Sequence, residues 1–345
     1  MRCRLPPAIV LLVLSPAIGE LLSGSSPPAE FFNPFTFVLL AALYGGGAIL
    51  VRELVLSWRK GWLSIFALGV AYGIVEEGLM CKSFFDPQWP DLGPLGVYGR
   101  WLGVNWVWAQ GLTVYHAVFS IAIPILLVEL AYPNERNKSW VSTEWLRVIG
   151  LLFVLDVLFG FCCFPKPEAP YYPSPFHIIA TVAIIAALVW LARKLPDRLP
   201  VPLSTRVPSV RRFMLLGFTA TLIFFIVFWG LPNTELPPIV TMGLGVLVLL
   251  VAARYALLWS GNGHKWAEIH KWAIASGALG FFILLAPLQE LSNPTRPDNT
   301  AGMSLVGLVA LTGLLWLRRK IIHQQRNELQ GKVEFATGSE TGGAD

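Results

Sequence analysis

Residues 35–51 read FTFVLLAALYGGGAILV, a run without a single charge. A helix rises 1.5 Å per residue and needs ~20 such residues to cross a hydrocarbon core ~30 Å thick. The run does not alternate polar with apolar, as a barrel strand would. A helix satisfies its own backbone in lipid, so the stretch predicts a membrane-spanning helix. Similar runs recur outward from it: PPAIVLLVL at 6–14, HIIATVAIIAALVWLA at 177–192 and PPIVTMGLGVLVLLVAA at 237–253. Composition agrees, with 55% hydrophobic and 14% charged residues and a mean hydropathy of +0.61. Soluble domains carry about 25% charged residues. The expected fold is therefore an all-α, polytopic integral membrane bundle of about ten helices. The spans are 6–24, 35–57, 62–85, 105–132, 146–164, 175–193, 211–231, 237–258, 268–288 and 301–320.

Basic residues test this set, because cytoplasmic segments retain Lys and Arg. With the N-terminus inside, the outer segments hold Lys82, Arg100, Lys166 and Arg296; all other basic residues of the 26 fall on the inner side. Both termini are then inside. The net charge of +5 is spread over the inner loops and tails, as topology alone demands, and calls for no nucleic-acid partner. The partner that composition requires is the lipid bilayer, most simply the plasma (inner) membrane of a prokaryote. Arg2 and Arg4 before an apolar run also resemble the start of a signal peptide, although Pro16 and Glu20 make a poor cleavage region. The topology after residue 24 is the same either way. The four cysteines form no C-x-x-C pair. Cys81 and Cys162 or Cys163 fall near outer helix ends, where a disulfide is an alternative to buried thiols.

The stretch RKLPDRLPVPLSTRVPSVRR, 193–212, divides the chain. Before it, 1–192 is a six-helix front half; after it, 213–322 is a four-helix apolar rear half; 323–345 is expected to be a disordered cytoplasmic tail. The front half carries Glu20, Glu76, Glu77, His116 and Asp156 within spans, and His177 at a helix end. Ionisable groups in the bilayer are costly and point to function. Depth arithmetic puts Glu76 ~10 Å and His116 about 15 Å below the outer face. Gly69, Gly73, Glu77 and Cys81 recur every four residues, a small-residue stripe that lets a neighbouring helix approach and turns Glu77 towards protein. Glu76, rotated by ~100°, should point elsewhere. Adjacent carboxyls in low dielectric suit a general acid, a base or a proton carrier. The structural alternative is a buried Glu bonded to a neighbouring helix or paired with Lys82. Asp156 and Glu20 have plainer explanations as a helix–helix contact and an interfacial group. The aromatic outer loop 84–108, FFDPQWPDLGPLGVYGRWLGVNWVW, is either an interfacial anchor or a lid over a pocket.

The order Glu-Glu, then His on the next helix, then His two helices later resembles the CPBP family, glutamate-dependent intramembrane proteases that include type II CAAX-processing enzymes. Its motifs run EExxxR, FxxxH and HxxxN or HxxxD. Glu76-Glu77 matches the dyad; His116 and His177 stand for the two histidines. Cys81 occupies the arginine place with Lys82 one residue on, Leu112 the phenylalanine place, and Thr181 the asparagine or aspartate place. The resemblance implies Glu76 or Glu77 as the base activating water, with His116 and His177 steadying the carbonyl oxygen. No H-E-x-x-H spacing supports zinc chemistry, and cofactor and metal stay open. A substrate would be a membrane-embedded peptide or small molecule. Two rivals stand beside a hydrolase. In a proton- or ion-coupled transporter, Glu76 and Glu77 would carry protons and Tyr44-Gly45-Gly46-Gly47 would loosen the second helix. In a non-catalytic scaffold, the carboxyls would be paired within a filled core.

Overall fold

The computed structural model describes residues 5–166, 170–198, 207–261, 263, 266–293 and 298–341. Among the described residues there are ten long helices. They are α1 (Pro7–Leu22), α2 (Pro34–Ser57), α3 (Trp62–Met80), α4 (Trp106–Ala131), α5 (Thr143–Cys163), α6 (Pro175–Lys194), α7 (Val210–Asn233), α8 (Pro238–Ser260), α9 (Glu268–Leu291) and α10 (Met303–Thr341). Helices α2 to α9 are each long and apolar enough to cross a membrane, and α1 is a shorter apolar helix. Large apolar side chains such as Leu151, Ile179 and Leu250 stand exposed on α5, α6 and α8. A soluble protein would not leave such faces in water; a membrane protein turns them to lipid.

Local chemistry sets where the helices begin. Asn33 accepts from the amide of Phe35 at 3.0 Å, ahead of Pro34 at the first helical position. Asn105 accepts from the amide of Trp108 at 2.9 Å, and Ser142 caps α5. These are the favoured residues for satisfying the free N–H groups of a first turn. Helix α3 stops at Met80, short of the expected residue 85. Lys82 takes a left-handed φ of 61°, and its Nζ donates to the carbonyls of Gly160, Phe161 and Phe164 at 3.2, 2.6 and 2.8 Å. A cation there satisfies the free carbonyls ending α5 and opposes the negative end of its dipole. Lys82 is thus committed to α5 and does not pair with the glutamates.

Helix α4 is the central post, with 72% of its most apolar window buried against 11% for α5, α6 and α8. It packs on α1, α2, α3, α8 and α9. The α3–α4 seam is close: a Cβ on Gly69 would stand 3.0 Å from Ala117 Cα, and one on Gly73 3.1 Å from His116 Cβ. In the rear half α7 and α9 meet backbone to backbone, Gly217 on Ile274 and Gly277 on Met214. Arg136 pairs with Glu268 at 2.5 Å and lies 3.8 Å from Glu129, while Arg52 pairs with Glu53 at 2.5 Å and lies over the Trp140 ring. Burial would lower the Arg136 pKa, but hydrogen bonding and charge from Glu268, with Glu129 adding, raise it overall.

Where a tail is expected from 323, α10 continues as far as Thr341. A helix already nucleated in the bundle extends cheaply through Gln324 and Gln325, which are good helix formers. The expected linker 193–212 is described only at its ends, with 199–206 outside the described residues.

Candidate functional site

Among the described residues five helices widen into π-helical turns: Ile226–Gly230 in α7, with no ionisable group, and Ala17–Leu22 in α1, Ala41–Gly45 in α2, Val75–Met80 in α3 and His116–Ala122 in α4. The last four carry Glu20, Tyr44, Glu76 with Glu77, and His116. Such bulges sacrifice regular i→i−4 bonding and concentrate at functional positions. Here they aim four polar elements at one place.

His116 is the hub. Its Nε2 lies 3.0 Å from Glu77 Oε1, and its Nδ1 lies 3.2 Å from Glu76 Oε2 and 3.0 Å from Ser120 Oγ. All four side chains are buried. The neighbouring glutamates, expected to diverge, therefore share one partner. The imidazole presents nitrogens on two edges of its ring, which spans the angle between them. Beyond the hub the bonding continues both ways. Tyr44 donates its hydroxyl towards Glu76 Oε1 and Glu20 Oε1, and Ser26 donates to Glu20 Oε2 at 2.9 Å. Ser83 donates to Glu77 Oε2 and accepts from Trp108 Nε1 at 2.9 Å. Glu76 Oε2 is buried and has no hydrogen-bond partner among the described residues, its 3.2 Å approach to His116 being an ion-pair contact only.

Glu20, Tyr44, Glu76, Glu77 and His116 all line one cavity of about 1030 Å³. Its walls come from both halves: Leu40 and Leu43 of α2, Phe225 and Phe228 of α7, and Phe282 and Leu285 of α9. The rear half, read from sequence as a scaffold, thus supplies much of the apolar wall. The lining also includes Ser23 to Ser26, Glu30 and the loop from Trp89 to Leu95. Burial, with Asp298 and Asp91 adding to it, raises the Glu30 carboxyl above its ordinary value. The outer loop is built to stay in place. Arg100 donates to the carbonyls of Phe85 at 2.8 Å and Gly96 at 3.1 Å, and a two-residue hairpin pairs Arg100–Trp101 (β1) with Val104–Asn105 (β2) across Leu102 and Gly103. Both turn residues have positive φ, as that turn requires. Trp89 and Trp108 face the cavity while Trp101 is exposed, so the loop is both cover and surface.

His177 stands apart from the other three named residues. Its Nε2 lies 3.0 Å from the Leu102 carbonyl, its Nδ1 2.8 Å from Ser174 Oγ, and its ring 4.9 Å from that of Phe85. It fastens the hairpin to α6 and does not line the cavity. Asp156 is buried on α5 with both oxygens unpartnered among the described residues, and it too is absent from the lining. Cys81, Cys162 and Cys163 are free thiols. The sequence underrated Tyr44 and Ser83. The signal for Tyr44 was a phenol in mid-span beside three glycines; nothing local marked Ser83. Glu76, Glu77 and His116 offer one donor atom each within 4.8 Å of one another, a spacing that a metal ion could bridge. Both His116 nitrogens already face carboxylates, so an ion would have to replace one of those contacts.

A family model described as an uncharacterized membrane protein family matches residues 9–317, so the chain belongs to that family. No solved structure matches it.

Proposed function

We propose that this member of an uncharacterised membrane family is a membrane-embedded hydrolase, acting from the outer side of a plasma membrane on an amphiphilic carbonyl substrate. One observation carries the proposal: both glutamates of the dyad converge on His116 at the wall of a large, mostly apolar cavity. Glu77 is held on both oxygens, by His116 and Ser83, and serves to orient the ring. Glu76 has Oε2 free of hydrogen bonds and is the base. It takes a proton from water as the water oxygen attacks the substrate carbonyl. The proton then passes to the leaving group, so water is divided between acid and amine or alcohol. His116, flanked by two carboxyls, balances the charge that moves through Glu76, and the Tyr44 hydroxyl, bonded to Glu76 Oε1, fixes that carboxyl in place. The CPBP resemblance points the same way for the dyad and His116, and not for His177.

A transporter draws support from the continuous chain Ser26–Glu20–Tyr44–Glu76–His116–Glu77. Against it, the side chains between this chain and the inner face are tightly packed and apolar, including Leu11, Ile49, Ile121, Ile125 and Val128. A compact site reachable from one face suits hydrolysis better than alternating access. The test uses the full chain in nanodiscs with a decanoyl amide of a coumarin dye and an internally quenched apolar peptide, in ¹⁸O-water. Cleavage with one ¹⁸O in the new carboxylate, reduced at least ~10²-fold by Glu76→Gln, is the expected result. Equal rates for wild type and Glu76→Gln, or proton flux across sealed liposomes without cleavage, would count against it.

A further inference from the structure

The lining of the cavity is lopsided in charge. Its carboxyl groups are Glu20, Glu30, Glu76, Glu77, Asp91 and Asp298. Among the described residues there is no lysine or arginine in that lining, and His116 is the one side chain that can be positive. No distribution of protons makes this wall net positive unless all six carboxyls are neutral at once. A low-dielectric chamber strengthens whatever field the wall carries. Deep in it the Glu76 carboxyl is part of the lining, and its buried Oε2 accepts no hydrogen bond within the distance and angle limits among the described residues, lying 3.2 Å from His116 Nδ1.

Another part of the wall is aromatic. Phe225 lies 4.4 Å from Trp229 and 5.3 Å from Phe282, and Phe228 lies 5.8 Å from Trp108, ring centre to ring centre. All five rings line the cavity. Aromatic faces attract alkylammonium groups and accept alkyl chains equally well. We propose that the cavity admits an amphiphile with a cationic head, a primary or quaternary ammonium, and an apolar tail, and that it rejects anionic amphiphiles. The head is held between the carboxyls and the aromatic faces, and the tail lies along Leu40, Leu43 and Leu285. This names a substrate class for the hydrolase proposed above and rests on it for the chemistry, while the binding preference stands on the cavity alone.

The experiment is equilibrium binding of tritiated decyltrimethylammonium to the full chain in zwitterionic-lipid nanodiscs, with protein-free nanodiscs as blank. Saturable binding is expected, displaced by decylamine but about ten-fold or more less effectively by decyl sulfate. Glu20→Gln and Trp229→Ala should each weaken it several-fold. Equal displacement by decyl sulfate, or no saturable binding above the blank, overturns the proposal. If Glu20→Gln does not fold, the comparison of the two head groups on the unaltered chain decides alone. Head-group selectivity without cleavage of any amide would remove the hydrolase and leave this inference standing. Cleavage without head-group selectivity would do the reverse.

Discussion

At the scale of the residue, the site is an exchange of obligations between buried polar groups. His116 and Glu77 each satisfy the other, and Ser83 completes Glu77. Removing one partner of a buried pair leaves the other unpaired, which costs about 3–5 kcal/mol. Glu77→Ala should therefore destabilise the purified protein by that amount in thermal unfolding. Glu77→Gln keeps an acceptor for Ser83 and should cost only about 1–2 kcal/mol. A Gln variant as unstable as the Ala variant would assign Glu77 a charge-dependent structural role. Lys82 makes a separate case. Lys82→Met would leave three carbonyls at the end of α5, that of Gly160 buried, without their donor, a loss of about 1–3 kcal/mol. Catalytic parameters should not follow, since Lys82 lies outside the cavity lining. A changed rate at unchanged stability would show that the lysine reaches the site. The sequence exposed Glu76, Glu77 and His116 because charge in an apolar run is conspicuous. It could not show Lys82's true partner, because carbonyls at a helix end carry no sequence signature.

At the scale of the element, π-helical turns and small residues do the positioning. The Gly69 and Gly73 stripe was legible from its four-residue period, and it seats α3 against α4. The wide turns were not legible, because no side-chain pattern announces the loss of one i→i−4 bond. They matter because they move Glu20, Tyr44, Glu76 and His116 off the register of a regular helix. The α7–α9 contact rests on Gly217 and Gly277 facing backbone. Gly217→Leu should cost about 3 kcal/mol or more, or abolish accumulation. Gly313→Leu, on the open face of α10 with nothing within 4 Å, should stay within about 0.5 kcal/mol. Similar losses at both positions would mean that leucine itself, rather than the lost approach of α7 to α9, disturbs the bundle.

At the scale of the whole molecule, hydropathy revealed the helix bundle, and the helices fall close to the expected spans except α10, which runs on to Thr341. The division into a working front half and a passive rear half was less informative. Apolar residues of α7 and α9 look alike whether they face lipid, core or cavity, and only packing tells them apart. The distribution of basic residues predicts the orientation: Val97→Cys should label from the outer face and Ser209→Cys from the inner one in a background free of other cysteines. Reversed labelling would place the cavity on the cytoplasmic side. The central claim, that the dyad and His116 act as one site, is tested most directly by a double-mutant cycle on unfolding free energy with Glu77→Ala and His116→Ala. Residues in direct contact should show a coupling of about 1–3 kcal/mol. Losses that add to within about 0.5 kcal/mol would contradict it.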